Sequence, residues 1–332
     1  MIHEKIFITV NGQSVTRASC NRDENWSVGT LLAEQRAACL AVDPQNRNVI
    51  YTGTNGNGIF RSMDRGKTWS ALGLDGQIVK ALAVSPHDPQ VMYAGTKPAL
   101  MYISRDGGQS WAELASFRRI RFRRFWFSPA EPPDKRPYVQ AITISPTNPD
   151  VVLAGIEFGA VVRSEDGGKT WSNHLKGTLR DCHDMKFHAT NGVWVYESGG
   201  GGAACGRENG RSWRKANDNL KLSQRYGAAC AADPERPEVW YVSVAMSPGQ
   251  AYGKEAKAYL FRASGGAEWE PIGWQVHPLP QMPIALVTDP AVPGHLYAGL
   301  TYGDVWHSPD YGDTWQKLPF SLQRIWRSMV VI

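Results

Sequence analysis

Short apolar runs recur along the whole chain, each five to seven residues long and separated by turns rich in Gly, Pro, Asn and Asp. Small, β-branched and aromatic side chains dominate the runs, and no stretch sustains a 3.6-residue apolar period, so the pattern predicts strands throughout. The runs are grouped. Residues 80–111 read KALAVSPHDPQVMYAGTKPALMYISRDGGQSW, and 140–171 read QAITISPTNPDVVLAGIEFGAVVRSEDGGKTW. Residues 38–69 and 284–315 follow the same plan. Each group has a run ending in Asp-Pro or Ser-Pro, a second run around a Tyr-Ala-Gly-like core, a third run, and then an octamer closed by Trp.

The octamers SMDRGKTW (62–69), SRDGGQSW (104–111), SEDGGKTW (164–171) and SPDYGDTW (308–315) are the strongest copies; weaker ones end at Trp213 and Trp269, and an eroded one at Trp26. The seven tryptophans are spaced 43, 42, 60, 42, 56 and 46 apart, so two intervals hold insertions, at about 116–137 and about 244–257. Four strands per group, repeated seven times, predict an all-β chain: a single seven-bladed β-propeller of four-stranded antiparallel blades spanning 1–332. The first group lacks an initial run, while RIWRSMVVI (324–332) is left over after the last tryptophan. The C-terminal strand is therefore expected to join the N-terminal blade and close the ring, which removes exposed sheet edges.

Within the octamer, Asp64, Asp106, Asp166 and Asp310 are expected to accept N–H groups of their own turns, and the glycines to supply positive φ. One carboxylate per turn falls far short of the six to eight oxygens that calcium takes. These roles are structural. The octamers resemble the Asp-box, or BNR, repeats shared by sialidases, xyloglucan-cleaving glycoside hydrolases, sortilin-type receptors and photosystem II assembly factors. The resemblance implies a propeller with its boxes on one face and its working surface on the other, made by the connections that carry the insertions. Function is not implied, because that superfamily contains enzymes, receptors and scaffolds.

Composition narrows the rest. The formal net charge is +5, and the segment 116–137 alone carries Arg118, Arg119, Arg121, Arg123, Arg124, Lys135 and Arg136 against Glu131 and Asp134. That local excess accounts for the whole, and the remaining surface is near neutral, which disfavours nucleic acid and favours a protein or an anionic glycan as partner. The interleaved Arg and aromatic residues of FRRIRFRRFWF are expected to form an extended hairpin with one cationic side, Arg119, Arg121, Arg123 and Trp126 making rim contacts. Counting back from the Asp-Pro ends places Arg36, Arg180, Arg225, Arg327, Tyr138 and Tyr226 at a central funnel as binding residues for a carboxylated ligand. The first reading is accordingly a binding or assembly module for an anionic or carboxylated partner.

The alternative is a glycoside hydrolase, sialidase-like or other, with its carboxylates drawn from Asp181, Asp184, Glu157 and Glu197 and with Tyr226 as a nucleophile. Against a sialidase stand the missing Arg-Ile-Pro near the N-terminus and the seven blades; the xyloglucanase cleft lies between two propellers, and one is expected here. A lyase using Tyr226 or His183 as base is a third possibility. No metal site or cofactor is expected: there is no HExxH, and His183 and His188, five apart in a strand, face opposite ways. The five cysteines form neither a disulfide framework nor a thiolate zinc site. No apolar run is long enough to span a bilayer, and the start lacks the apolar stretch of a secretory leader, so a cytoplasmic protein is expected.

Overall fold

The structure is a computed structural model that describes residues 5–21, 25–265, 268–274 and 277–332. It is all-β apart from a four-residue helix, Pro248–Ala251, and short 3-10 turns. The strands form successive small antiparallel sheets. A run of apolar residues ending in Asp-Pro or Ser-Pro starts most of them because the proline stops the ladder and the acid or hydroxyl folds the turn: Asp43 Oδ1 accepts the N–H groups of Gln45 and Asn46 at 2.8 and 3.2 Å.

Seven strands line the middle of the molecule: Ala37–Val42, Ile78–Val84, Val139–Ile144, Asp181–Phe187, Tyr226–Ala232, Pro283–Thr288 and Met329–Val331. Each contacts the next in that order, and the last contacts the first. All seven contribute to a central cavity of about 580 Å³. The C-terminal strand Met329–Val331 pairs antiparallel with Ile6–Val10, in the register Phe7↔Val331, Ile8↔Val330 and Thr9↔Met329. Ile6 and Ile332 exchange both backbone hydrogen bonds, at 2.8 and 3.0 Å. The expected junction of the two ends is present, and the arrangement is β-propeller-like.

Two details depart from a uniform four-stranded pattern. The sheet of Val139–Ile144, Val152–Ile156 and Ala160–Ser164 has three strands. Its fourth run, after Trp171, keeps only two backbone bonds, Ser172 N to Arg163 O at 2.8 Å and Leu175 N to Val161 O at 3.0 Å. The sheets that begin at Asp181 and Tyr226 are joined into one by a single pair, Gly200↔Tyr226. The 116–137 segment also differs from the hairpin expected of it. It folds as two 3-10 turns, Ala115–Arg119 and Arg123–Phe125, because Phe117, Ile120 and Trp126 are pulled into the core and draw the backbone around them.

The octamers behave as structural turns. In all four strong copies the Ser hydroxyl donates to Asp Oδ1 and accepts the N–H of the glycine four residues on, the latter at 2.8 Å each time. The Asp takes both the N–H and the hydroxyl of the Thr or Ser four residues on. Hydrogen bonds from Ser110 are the main reason that Asp106 is held down to about 2. The turns also tie neighbouring sheets together. Tyr93 Oη donates to Gly167 O at 3.2 Å, and Ser116 Oγ to Gly168 O at 2.7 Å. Gly168 has φ +91, and a Cβ there would lie 2.6 Å from Leu114 Cδ1, so its glycine is needed for both conformation and packing. Residues 266 and 267 of the weak octamer at 262–269 lie outside the described residues.

Ser164 is 1% exposed, and its hydroxyl serves the N–H groups of Gly168 and Asp166 as well as the Asp166 carboxylate. Ser164→Ala leaves the Gly168 N–H buried without an acceptor and is expected to cost about 1–3 kcal/mol. Urea denaturation measures it; an unchanged midpoint would remove the turn from the stabilising framework.

Candidate functional site

The site sits at the end of the central cavity where the inner strands begin. Strand direction puts it opposite the Asp-boxes. An inner strand runs away from this mouth, the second strand returns to it, and the third leaves again to end in its box. Six of the seven inner strands share a further feature. Their register against the second strand slips once, one or two residues in from the start: between Ala37/Cys39, Val79/Ala81, Val139/Ala141, Cys182/Asp184, Gly227/Ala229 and Pro283/Ala285. A bulge of this kind leaves one residue out of the ladder and re-aims its side chain. The residues so placed are Ala38, Lys80, Gln140, His183, Ala228 and Ile284, and among these Lys80, Gln140 and His183 are polar and line the cavity.

His183 meets two carboxyl groups. Its Nδ1, 2.6 Å from Gly227 O, donates to that carbonyl, and its Nε2, 3.1 Å from Asp181 Oδ2, donates to the carboxylate when the ring carries both protons. Glu157, in the turn that follows strand Val152–Ile156, completes the group: one ligand-type atom from each of Glu157, Asp181 and His183 lies within 4.8 Å of the others. Asp181 Oδ1 also accepts the N–H of Phe158 at 3.4 Å. Glu157 and Asp181 are 3% and 7% exposed. Two carboxyl groups this close and this buried do not both ionise readily. Burial, then the charge of Asp181, pushes Glu157 above its ordinary value. Burial would also raise Asp181, but the hydrogen bond and charge of His183 outweigh it and hold Asp181 below its ordinary value. The two carboxyls are thus driven apart, Glu157 upward and Asp181 downward.

Arg327 and three tyrosines enclose the pair. Arg327 arrives with the C-terminal strand and donates from Nη1 to Gln140 Oε1 and, at 3.3 Å, to Tyr138 Oη. Burial works against its charge, but Tyr138, Tyr252 and Glu157 more than offset it, so Arg327 stays a cation. The Tyr226 ring packs on His183 at 4.9 Å. Tyr252 follows helix Pro248–Ala251 and packs at a tilt against Trp326, ring centres 5.4 Å apart, so the 244–257 insertion covers one side of the mouth. Glu157, Asp181 and His183 are also a possible metal-ligand set, with the Arg327 cation adjoining them.

Of the residues singled out from sequence, Glu157, Asp181, Tyr138, Tyr226 and Arg327 are brought together at this mouth. Asp184 is not with them: it pairs with Lys186 at 2.7 Å, and accepts the Cys230 N–H at 3.1 Å. Glu197 lies inside strand Val195–Gly200, where it is fully buried and accepts the Leu179 N–H at 3.0 Å. Arg36 and Arg180 are exposed, and Arg225 turns to Leu220 O at 3.3 Å. On the 116–137 segment, Arg119 and Arg121 are exposed, but Arg123 packs over the rings of Phe117 and Trp126 at 5.6 and 5.3 Å. Trp126 is buried and donates to His174 at 2.6 Å, so Arg123 and Trp126 hold the segment in place instead of facing outward. Sequence reading missed Gln140, Lys80 and the pairing role of His183. The signal was present, since all three occupy the same position of the repeat, six residues before the Pro of S-P in two copies.

The BNR/Asp-box repeat family matches residues 102–113. No curated protein matches the chain. Among solved structures, the GH74 xyloglucanase of Xanthomonas campestris superposes with a TM-score of 0.72 at 20% identity, over 97% of this chain and 53% of that one. A GH74 enzyme of Niastella koreensis gives 0.67 at 17% identity, over 98% and 53%. YCF48 bound to D1 peptide gives 0.56 at 16% identity, over 86% and 83%. The chain thus spans about half the length of the two GH74 enzymes, and the likeness is one of fold. No helix among the described residues is long and apolar enough to cross a membrane.

Glu197 supplies a test of the buried electrostatics. Burial pushes its carboxyl up to about 8 from an ordinary 4.5. A folded-state value above the unfolded one means stability that is full below pH 4.5 and is lost as pH rises through about 8. The melting temperature of the wild type is expected to fall across that window, and Glu197→Gln to flatten the fall. Parallel curves for the two proteins would contradict this.

Proposed function

We propose that this chain, an Asp-box repeat protein with a β-propeller-like fold, is a single closed seven-bladed propeller whose mouth carries a glycan-cleaving acid–base site. The cyclic contacts of the inner strands and the pairing of the two chain ends support the closed ring. One observation carries the chemistry: two carboxyl groups within 4.8 Å of each other, Glu157 pushed up and Asp181 held down. Pairs of carboxyls driven apart in this way divide the work of acid and carboxylate in glycoside hydrolysis.

In this reading Glu157 protonates the glycosidic oxygen, and Asp181 stabilises or attacks the sugar carbon. Carboxyls this close match the short separation of retaining enzymes better than the about 6.5–9.5 Å of inverting ones. A retaining, two-step course through a glycosyl–Asp181 intermediate follows. His183 orients Asp181 through Nε2 and is itself fixed by the Gly227 carbonyl. Arg327 holds a cation beside the pair and suits a substrate carrying a carboxylate. The pair is nearly closed to solvent, so substrate entry requires side chains at the mouth to move. Tyr252 is half-buried and stands on the insertion, not on a strand of the ring, and is the group best placed to do so.

The GH74 structures, one an enzyme of that family and one a xyloglucanase, support the hydrolase reading over a purely scaffolding one, although their cleavage machinery belongs to chains about twice as long. Glu157→Gln is expected to lower kcat by about 10²–10⁴-fold on natural glycosidic bonds, and much less on aryl glycosides whose leaving groups need no proton. Asp181→Asn is expected to abolish turnover on both. The rate should show an acid limb from Asp181, below the ordinary carboxylate range, and an alkaline limb from Glu157, above it. Unchanged turnover in both variants, or no cleavage by the wild type of neutral and acidic glycans, would end this reading.

A further inference from the structure

Beside the mouth, the 116–137 segment exposes an unusual surface. Phe122, Phe125 and Phe127 are 47%, 59% and 40% exposed. Arginines lie against their rings: Arg121 over Phe122 at 4.7 Å, and Arg124 over Phe125 at 4.8 Å. A hollow of about 550 Å³ opens among Ile120, Arg121, Phe122 and Arg124. The acids that could neutralise this surface are already engaged. Glu131 binds Lys80 and Lys97 at 2.9 and 2.7 Å, Asp134 binds Arg136 at 2.8 Å, and Glu113 binds Arg118. Among the described residues, no carboxylate pairs with Arg119, Arg121 or Arg124.

The patch is continuous with the candidate site. Phe127 packs on Phe158 at 5.1 Å, and Arg180 lies 5.9 Å over Phe127. Phe158 follows Glu157 in sequence and donates its N–H to Asp181, while Arg180 precedes Asp181. Guanidinium and phenyl groups of the rim, then Phe127, Arg180 and Phe158, therefore occupy the way from this segment to the two carboxyls.

We propose that this path is the binding track for an acidic polysaccharide, a chain of sugars bearing carboxylates, which it leads into the mouth. The proposal rests on the glycan-cleaving reading and names its substrate class. Guanidinium groups recognise carboxylates in a planar, directional way. Exposed phenyl rings offer apolar faces on which the C–H faces of sugar rings can lie, a match that a purely electrostatic partner does not need. Nucleic acid fits less well, because the formal charge of the chain outside this segment is close to zero and a backbone binder needs a broad positive surface.

Affinity electrophoresis and calorimetry of the full chain with polygalacturonate test the idea, with fully methyl-esterified polygalacturonate and poly-L-glutamate as comparison probes. Polygalacturonate is expected to bind, and the esterified polymer and poly-L-glutamate to bind at least about tenfold more weakly. The triple variant Arg119→Ala, Arg121→Ala, Arg124→Ala is expected to lose polygalacturonate binding by a similar factor. Phe122→Ala with Phe125→Ala should weaken it at unchanged charge. These residues are exposed, and unchanged melting temperatures would show that folding is intact. Glu157→Gln should bind like the wild type, so failure of the cleavage reading appears in turnover and failure of the track appears in binding. Equal binding of the esterified polymer, poly-L-glutamate binding as tightly as polygalacturonate, or full binding by the arginine variant would overturn the proposal.

Discussion

The pairing of Met329–Val331 with Ile6–Val10 is the interaction on which the rest depends. It joins the two ends of the chain by backbone hydrogen bonds and by Thr9 Oγ1 donating to Ser328 O at 2.7 Å. Without it the first sheet has no inner strand, and the cyclic contact of inner strands is open at one place. It also delivers chemistry. Arg327 stands two residues before the strand, in a left-handed conformation with φ +65, and reaches Gln140 and Tyr138, nearly 190 residues away in sequence. The same closure that satisfies the sheet edge sets a buried cation next to Glu157.

Two surfaces of opposite character follow from the strand directions. The Asp-box edge spends its polar groups internally: each Asp oxygen is occupied by donors from its own turn, and the turns brace the adjoining sheets. The mouth does the reverse. It brings side chains from Asp181, Glu157, His183, Tyr226 and Arg327 into one place, with bulges in the inner strands turning Gln140 and His183 toward the axis. One Glu157 carboxylate oxygen is buried there without a hydrogen-bond partner. Such a group is costly to bury.

The repeats made most of the fold legible. Strand runs and box turns follow from the period because turn chemistry is local and recurrent, and the joining of the chain ends follows from the leftover tail, which supplies the run the first group lacks. The fourth run after Trp171 was not legible as a missing strand, since its residues satisfy their backbone through two isolated bonds. The 116–137 segment was misjudged because alternating Arg and aromatic residues also describe a compact turn whose alternate rings, Phe117 and Trp126, go inward. At the site, Asp181 and Glu157 were among the candidates, but Asp184 and Glu197 were equally eligible by sequence. The bulge at His183 separates Asp181 from Asp184 by shifting the facing of the residues after it, while Glu197 falls within its strand and Glu157 stands in the turn beyond its own. Arg123 looked like a rim contact and proved a brace; Phe127 and Phe158, ordinary by sequence, form the link between rim and mouth.

The central claim is that the site drives its two carboxyls apart, Glu157 above its ordinary titration range and Asp181 below it. Carbon-13 NMR of the full chain with labelled glutamate and aspartate side chains, titrated across pH, tests it most directly. The account predicts that the Glu157 carboxyl titrates above the ordinary glutamate range and the Asp181 carboxyl below the ordinary aspartate range, and that Glu157→Gln shifts the Asp181 curve. Ordinary titration of both groups, or an Asp181 curve indifferent to the substitution at Glu157, would contradict it.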